Sequence, residues 1–186
     1  MDWKKQLELF EHDQDWKSAI DLVKGMAETE QGDVEVYIRA IYLLHHVLVE
    51  TQYSKSGKDE AEKLLKYHFN YANHKFSDNS EYLFFVSKLL YIAEWLFGID
   101  DNLKPLEDRI AFKMQKKAHE IEPDNLLFEW AYRFSLRDAF AGRLAQQIIN
   151  EHSKLDWLRS KGFPGEYVLS SLKRNKAKYE ESDPPI

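Results

Sequence analysis

Seven histidines are the first residues to weigh for chemistry, because imidazole serves as acid, base and metal ligand near neutral pH. His12, His45, His46, His68, His74, His119 and His152 include no His-x-x-x-His and no Glu-x-x-His pair. Adjacent His45 and His46 point about 100° apart on a helix, too far round to close on one ion. His46 and Glu50 share a helical face and are spaced to share a metal, although ordinary hydrogen bonding explains them without one. His119-Glu120 opens like a His-Glu-x-x-His zinc motif, but Pro123 stands where the second histidine belongs. The chain has no cysteine, which excludes thiol nucleophiles, thiolate metal sites and disulfides. Neither a Gly-rich phosphate cradle nor a Gly-x-Ser-x-Gly elbow occurs. The acid pairs Asp100-Asp101 and Glu180-Glu181 fall in a predicted loop and tail, where solvation accounts for them. The expectation is no catalytic centre, no metal and no cofactor.

Recognition is the other chemistry these residues offer. On one predicted helix Glu35, Arg39, Tyr42 and His46 form a stripe. On a second helix Glu81, Phe85, Lys88 and Ile92 form its counterpart, extended by Trp95. Rings anchor a partner and charges select it, so this mixture predicts a partner-binding groove. Phe84, Trp95, Phe97, Phe128, Trp130 and Tyr132 are expected as a group in the core, except where one falls on the face opposite the packing stripe. The basic run Lys173-Arg174-Asn175-Lys176-Ala177-Lys178 has two readings, a contact for phosphate or nucleic acid and, the one favoured, a complement to the dipole at a helix C-terminus.

These side chains depend on helices for their placement, and helical periodicity runs through the whole sequence. Asp2 caps a first short helix with Trp3, Leu7 and Phe10 on one face, and Asp15 a second with Trp16, Ala19, Ile20, Val23 and Ala27. After Gly32-Asp33 a third carries Val34, Ile38, Ile41, Leu44 and Leu48. Ser54 to Lys58 reads as a turn, followed by a helix with Ala61, Leu64, Leu65, His68 and Ala72. A fifth helix, from about Ser80 to Phe97, is apolar nearly all round, the pattern of a helix buried on two sides. Pro105 suits the first turn of a sixth helix, with Ile110, Met114 and Ala118. Pro123-Asp124-Asn125 introduces a seventh through Phe128, Trp130, Tyr132 and Leu136. Gly142 stands at the start of an eighth, Gly162-Phe163-Pro164-Gly165 reads as a loop, and a last helix spans Tyr167 to about Lys178.

Three of the breaks are evenly spaced: Asp33, Asn79 and Asn125 follow one another at intervals of 46 residues. At that offset Ile38 overlays Phe84 and Trp130, Leu44 overlays Leu90 and Leu136, and Leu64-Leu65 overlays Ile110-Ala111. Even spacing marks a helix-hairpin repeat whose units bury their faces by stacking. The segment Ala118-His119-Glu120-Ile121-Glu122-Pro123-Asp124-Asn125 resembles the close of a tetratricopeptide repeat, with Asp15-Trp16 to Ala27 a fainter echo. Longer-period helical repeats of the HEAT type fit the same spacing. The resemblance covers about residues 15–150 and implies protein or peptide binding along a concave groove. The expected fold is all-α: antiparallel helix hairpins stacked as a short right-handed α-solenoid. Residues 1–178 would form one domain and 179–186 a frayed tail.

Composition narrows the partner. A net charge of −6 disfavours nucleic acid. Residues 1–35 hold ten acidic and four basic side chains, whereas residues 141–178 hold three acidic and eight basic ones. The most apolar window, Tyr82 to Ile99, is interrupted by Lys88 and Glu94, and a charge at mid-membrane costs about 2.5–3.5 kcal/mol, so no membrane span is expected. With no long apolar stretch behind the N-terminus, no signal peptide is expected, and a cytoplasmic location follows. The function expected is a non-enzymatic protein-binding module. A compact, acidic, cysteine-free helical chain suits a bacterial immunity protein that neutralises a toxin domain, and also an adaptor or a secretion chaperone. A helical enzyme or metal-binding domain with a cleft between helices is the alternative from another class.

Overall fold

Short side chains that accept hydrogen bonds set the starts of the helices. In the structure, a computed structural model that describes residues 2–182 and side chains through Ala177, six helices begin on such a cap. Asp2, Asp15, Asp33, Ser54, Asn79 and Asn125 each accept a backbone N–H from the first turn that follows. Each satisfies a donor that the helix leaves unpaired. The helices are α1 (Trp3–His12), α2 (Trp16–Thr29), α3 (Val34–Glu50), α4 (Lys55–Lys75), α5 (Ser80–Ala93), α6 (Ile110–Ile121), α7 (Leu126–Ser135), α8 (Phe140–Asn150), α9 (His152–Ser160) and α10 (Phe163–Ser182). Two 3₁₀ turns, Glu94–Phe97 and Leu106–Asp108, lie between α5 and α6. No strand occurs among the described residues.

Neighbours in sequence are neighbours in space through most of the chain: α1 packs on α2, α2 on α3, α3 on α4 and α5, α5 on α6, α6 on α7, and α7 on α8. The order then changes. Helix α10 packs on α8 and α9 and also returns to α3, so the end of the chain meets its first half. One continuous apolar core results, from Leu7 to Leu172, with α3 and α5 contributing more to it than any other helix.

Asp33, Asn79 and Asn125 cap α3, α5 and α7 as their spacing predicts. Of the residues expected in the core by equivalence, Ile38, Leu44, Phe84, Leu90 and Trp130 are buried, and Leu64 and Ile110 are half-buried. Leu136 is 43% exposed. It falls outside because α7 has only 10 residues against 17 in α3, and Arg137 ends the turn in the left-handed region at φ 56°.

Other boundaries differ for tertiary reasons. Lys55 and Gly57, read as turn, lie in the first turn of α4. Pro105 precedes the second 3₁₀ turn, and α6 starts at Ile110, whose N–H donates to Asp101 Oδ2 at 2.6 Å. The predicted loop at Gly162–Gly165 is the start of α10. Gly162 takes a φ of +62°, Pro164 occupies a first-turn position where its missing N–H costs nothing, and Gly165 lies against α9. A Cβ on Gly165 would stand 1.7 Å from the Leu158 carbonyl oxygen, so this approach admits only glycine. Helix α9 has no counterpart in the sequence reading. Helix α10 runs on to Ser182 and takes in residues 179–182 of the expected tail; residues 183–186 lie outside the described ones. No helix among the described residues is long and apolar enough to cross a membrane.

Candidate functional site

The expected groove stripe is distributed over three environments, two of them interior. Arg39, fully buried, comes from α3. Its Nε donates to Glu35 Oε1 at 3.1 Å, Nη1 to Glu8 Oε1 at 3.2 Å and Nη2 to the Ser160 carbonyl at 3.0 Å. Lys4 reaches Glu35 Oε2 at 2.7 Å, while Lys161, at the end of α9, pairs with Glu81 and lies 3.7 Å from Glu35. Burial pushes the Glu35 carboxyl up, but its bond to Lys4 and the charges of Lys161, Arg39 and Lys4 outweigh that and hold it below the ordinary value. Glu11 lies beside this cluster. Burial raises it to about 7, with Arg39 pulling it down and Glu8 pushing it up. Glu35, Arg39 and Glu81 are therefore a charged clasp that fastens α1 and α9 to α3 and α5.

Tyr42, His46 and Phe85 make the second environment, an aromatic seam. The Tyr42 hydroxyl donates to the Phe85 carbonyl at 2.8 Å, and its ring meets Tyr167 edge-on at 5.7 Å. Phe85 stacks on Trp157 at 5.7 Å, and His46 sits 5.1 Å from Trp16 and 4.8 Å from Phe163. Tyr42 and Phe85 are fully buried. The expectation that they line an open groove is corrected: α9 and α10 cover the stripe with Trp157, Phe163 and Tyr167. Rings on a stack face need a cover, and the chain supplies one from its own last two helices. His46 Nδ1 lies 3.7 Å from Glu50 Oε2, and no group of three or more His, Asp or Glu side chains placed to hold a metal occurs among the described residues.

The remaining three, Lys88 and Ile92 on α5 and Trp95 in the 3₁₀ turn that follows, lie apart from both clusters; Ala93, with φ −152° and ψ 52°, breaks the helix before Trp95. Lys88 is only 7% exposed. Its Nζ lies 3.9 Å from the centre of the Trp130 ring, 5.5 Å from Phe134 and 5.8 Å from Phe84. Trp130 is held in place by its indole N–H, which donates to Asn175 Oδ1 at 3.0 Å. Removal from water brings the Lys88 amine down to about 7. The three rings make an aromatic box for the amine.

Several large apolar side chains near the ends of α5 and α7 are exposed. Ile92 is 43% exposed, Trp95 59%, and Phe134, Leu136 and Phe140 more than 40% each. The last three flank the sharp end of α7. Their signal in the sequence is an apolar run on both sides of the helix stop at Arg137-Asp138, out of step with the core face Leu127, Phe128, Trp130 and Ala131. Arg133 covers Phe140 at 4.9 Å and is itself paired with Glu129 at 2.7 Å and Asp138 at 2.8 Å.

A polar cavity lies behind this face, between α5, α6 and the 3₁₀ turns, lined by Tyr91, Glu94, Asp101 and Arg109. Its volume, about 40 Å³, is on the scale of a single water. Asp101 is occupied there with the Ile110 N–H and Lys104, and Arg109 with the carbonyls of Lys104 and Asn102. These groups hold the start of α6. His45 on α3 and His68 on α4 are both buried. Burial, then the neighbouring His46, brings His45 down to about 4, and burial alone lowers His68. Comparison with protein-family models, with characterised proteins and with solved structures gives no match to this chain.

Proposed function

We propose that the chain is a non-enzymatic protein-binding module whose contact surface is formed by Ile92, Trp95, Phe134, Leu136 and Phe140. The observation that carries this reading is their exposure: all five are large apolar side chains left open to solvent just before or after the ends of α5 and α7, the composition of a binding patch. The rest of the expected stripe is occupied by α9 and α10 and serves the fold. The even spacing of the α3, α5 and α7 caps supports a short α-solenoid of stacked hairpins, closed by the last two helices. Within the binding class, neutralisation of a toxin domain by a bacterial immunity protein, acting in the cytoplasm, suits a compact acidic chain of this kind, and an adaptor or chaperone is the second use.

The test is a paired measurement. A partner captured from the native host should bind Trp95→Ala and Ile92→Asp more weakly than wild type by about 1–3 kcal/mol each. It should bind Leu9→Asp, on α1, with unchanged affinity. All three variants should keep the wild-type thermal midpoint to within a few degrees. Undiminished binding to both Trp95→Ala and Ile92→Asp would move the contact surface elsewhere.

A further inference from the structure

We propose that α1 is exchanged between two copies of this chain, so that in the dimer Trp3, Lys4, Leu7 and Glu8 of one copy complete the charged clasp and the core of the other. The partner is the chain itself, and the device is the turn between α1 and α2.

That turn is short and strained. Asp13, Gln14 and Asp15 alone separate the two helices. Gln14 stands in the left-handed region at φ 57°. The turn closes with the Asp15 N–H on the Phe10 carbonyl at 2.9 Å and the Gln14 N–H on the Glu11 carbonyl at 3.2 Å. This helix ending favours glycine, because a Cβ crowds the backbone there. Glycine fills two other left-handed positions, Gly98 and Gly162. Arg137 repeats the strain between α7 and α8, but both of those helices pack on further ones. Among the described residues, the Gln14 turn is the one chain connection between α1 and the bundle.

Nothing in the turn bars a straighter path. It holds neither Gly nor Pro, and Gln is a good helix former, so residues 3–29 can run as one helix. The straight form gives up the Asp15 cap on Ser18 and keeps the backbone of the turn paired as helix bonds. It also carries α1 off its own bundle. The seat left behind is specific. Leu7 is fully buried in it, Lys4 bonds Glu35 at 2.7 Å, Glu8 accepts from Arg39 at 3.2 Å, and Arg39 lies 5.7 Å from the Trp3 ring. An empty seat uncovers Arg39 and takes one of its carboxylates away. A second α1 brings the same residues at the same spacing, so another copy fills the seat contact for contact. The exchanged dimer repeats the contacts of the monomer and releases two strained turns, which is how a short strained hinge favours exchange.

The test uses the absence of cysteine. Exposed Lys5 on α1 and Lys24 on α2 are changed together, Lys5→Cys and Lys24→Cys, and spin-labelled. The full chain at millimolar concentration, with labelled chains diluted in unlabelled ones, is warmed to just below its thermal midpoint, cooled and separated by size. A dimer should appear. In it the two labels of one chain should stand about 28 Å apart, the rise of one continuous helix from residue 5 to residue 24, while the monomer keeps the shorter distance of the hairpin. Gln14→Gly, which relieves the turn in the monomer, should raise the dimer dissociation constant about 10-fold or more, since each dimer holds two such turns. Arg137→Gly should leave that constant unchanged. A chain that stays monomeric through this treatment, or a dimer whose labels keep the hairpin distance, would overturn the exchange. Gln14→Gly dimerising as readily as wild type, or Arg137→Gly weakening the dimer equally, would overturn the turn as its cause.

Discussion

Lysine and methionine have nearly the same length, so Lys88→Met changes the charge inside the aromatic box and little of its packing. At pH 7 the native site holds a proton far less readily than the unfolded chain, because the amine falls from 10.5 to about 7 on folding. That difference costs the native state about 4 kcal/mol at pH 7. A shift of that size is net of whatever the face of Trp130, 3.9 Å away, returns as a cation–π contact, and the thioether keeps a favourable contact of its own with the rings. Lys88→Met should therefore be more stable than wild type at pH 7, by up to about 4 kcal/mol. The sign of the pH dependence follows from the direction of the shift. With the native value depressed, the unfolded chain binds more protons between pH 7 and 10.5, so wild type gains stability across that window and the methionine variant does not. Urea unfolding of both proteins in parallel at pH 7 and pH 9.5 measures the gap, and groups common to both cancel. The gap should narrow by more than about 1 kcal/mol over that span. A methionine variant less stable than wild type at pH 7, or a gap independent of pH, would refute the picture of a desolvated amine.

Phe85→Ala should cost about 3–5 kcal/mol in urea unfolding, because the ring is fully buried under Trp157; a loss below about 1 kcal/mol would mean that α9 does not cover it. His45 is neutral in the folded chain, and its fall from 6.5 to about 4 makes the unfolded chain take up the proton first as pH drops. Stability should decline across that window by up to about 3 kcal/mol, and His45→Leu should flatten this part of the curve. Glu11, raised to about 7, works in the opposite sense, so the comparison is between variant and wild type and not of either alone. An unchanged slope in His45→Leu would clear His45 of the effect.

What the sequence disclosed was whatever local chemistry decides. Asp33, Asn79 and Asn125 were legible as caps because a short acceptor before an apolar run does the same thing in any context. The face shared by Arg39, Tyr42 and His46 was legible from spacing alone. What covers that face was not, since periodicity tells which residues point together and nothing about what meets them. Gly162-Phe163-Pro164-Gly165 shows the same limit from the other side. By local chemistry it is a turn, and it becomes a helix start because Gly165 lets α10 approach the Leu158 carbonyl, a contact with another helix. Lys88 was visible as a charge inside an apolar window, but its box needs Trp130 and Phe134 from α7, and their positions depend on how α5 and α7 pack.

The return of α10 to α3 has a consequence for the order in which the protein can be completed. A stack in which each hairpin touches only the next can fold as it is made and can be lengthened by adding units. Here Tyr42 and Phe85 lack their cover until Trp157, Phe163 and Tyr167 have been synthesised, so the first half of the chain waits with its rings exposed. The same contact limits insertion: added helices after α8 would carry α9 and α10 away from the α3 face that they cover.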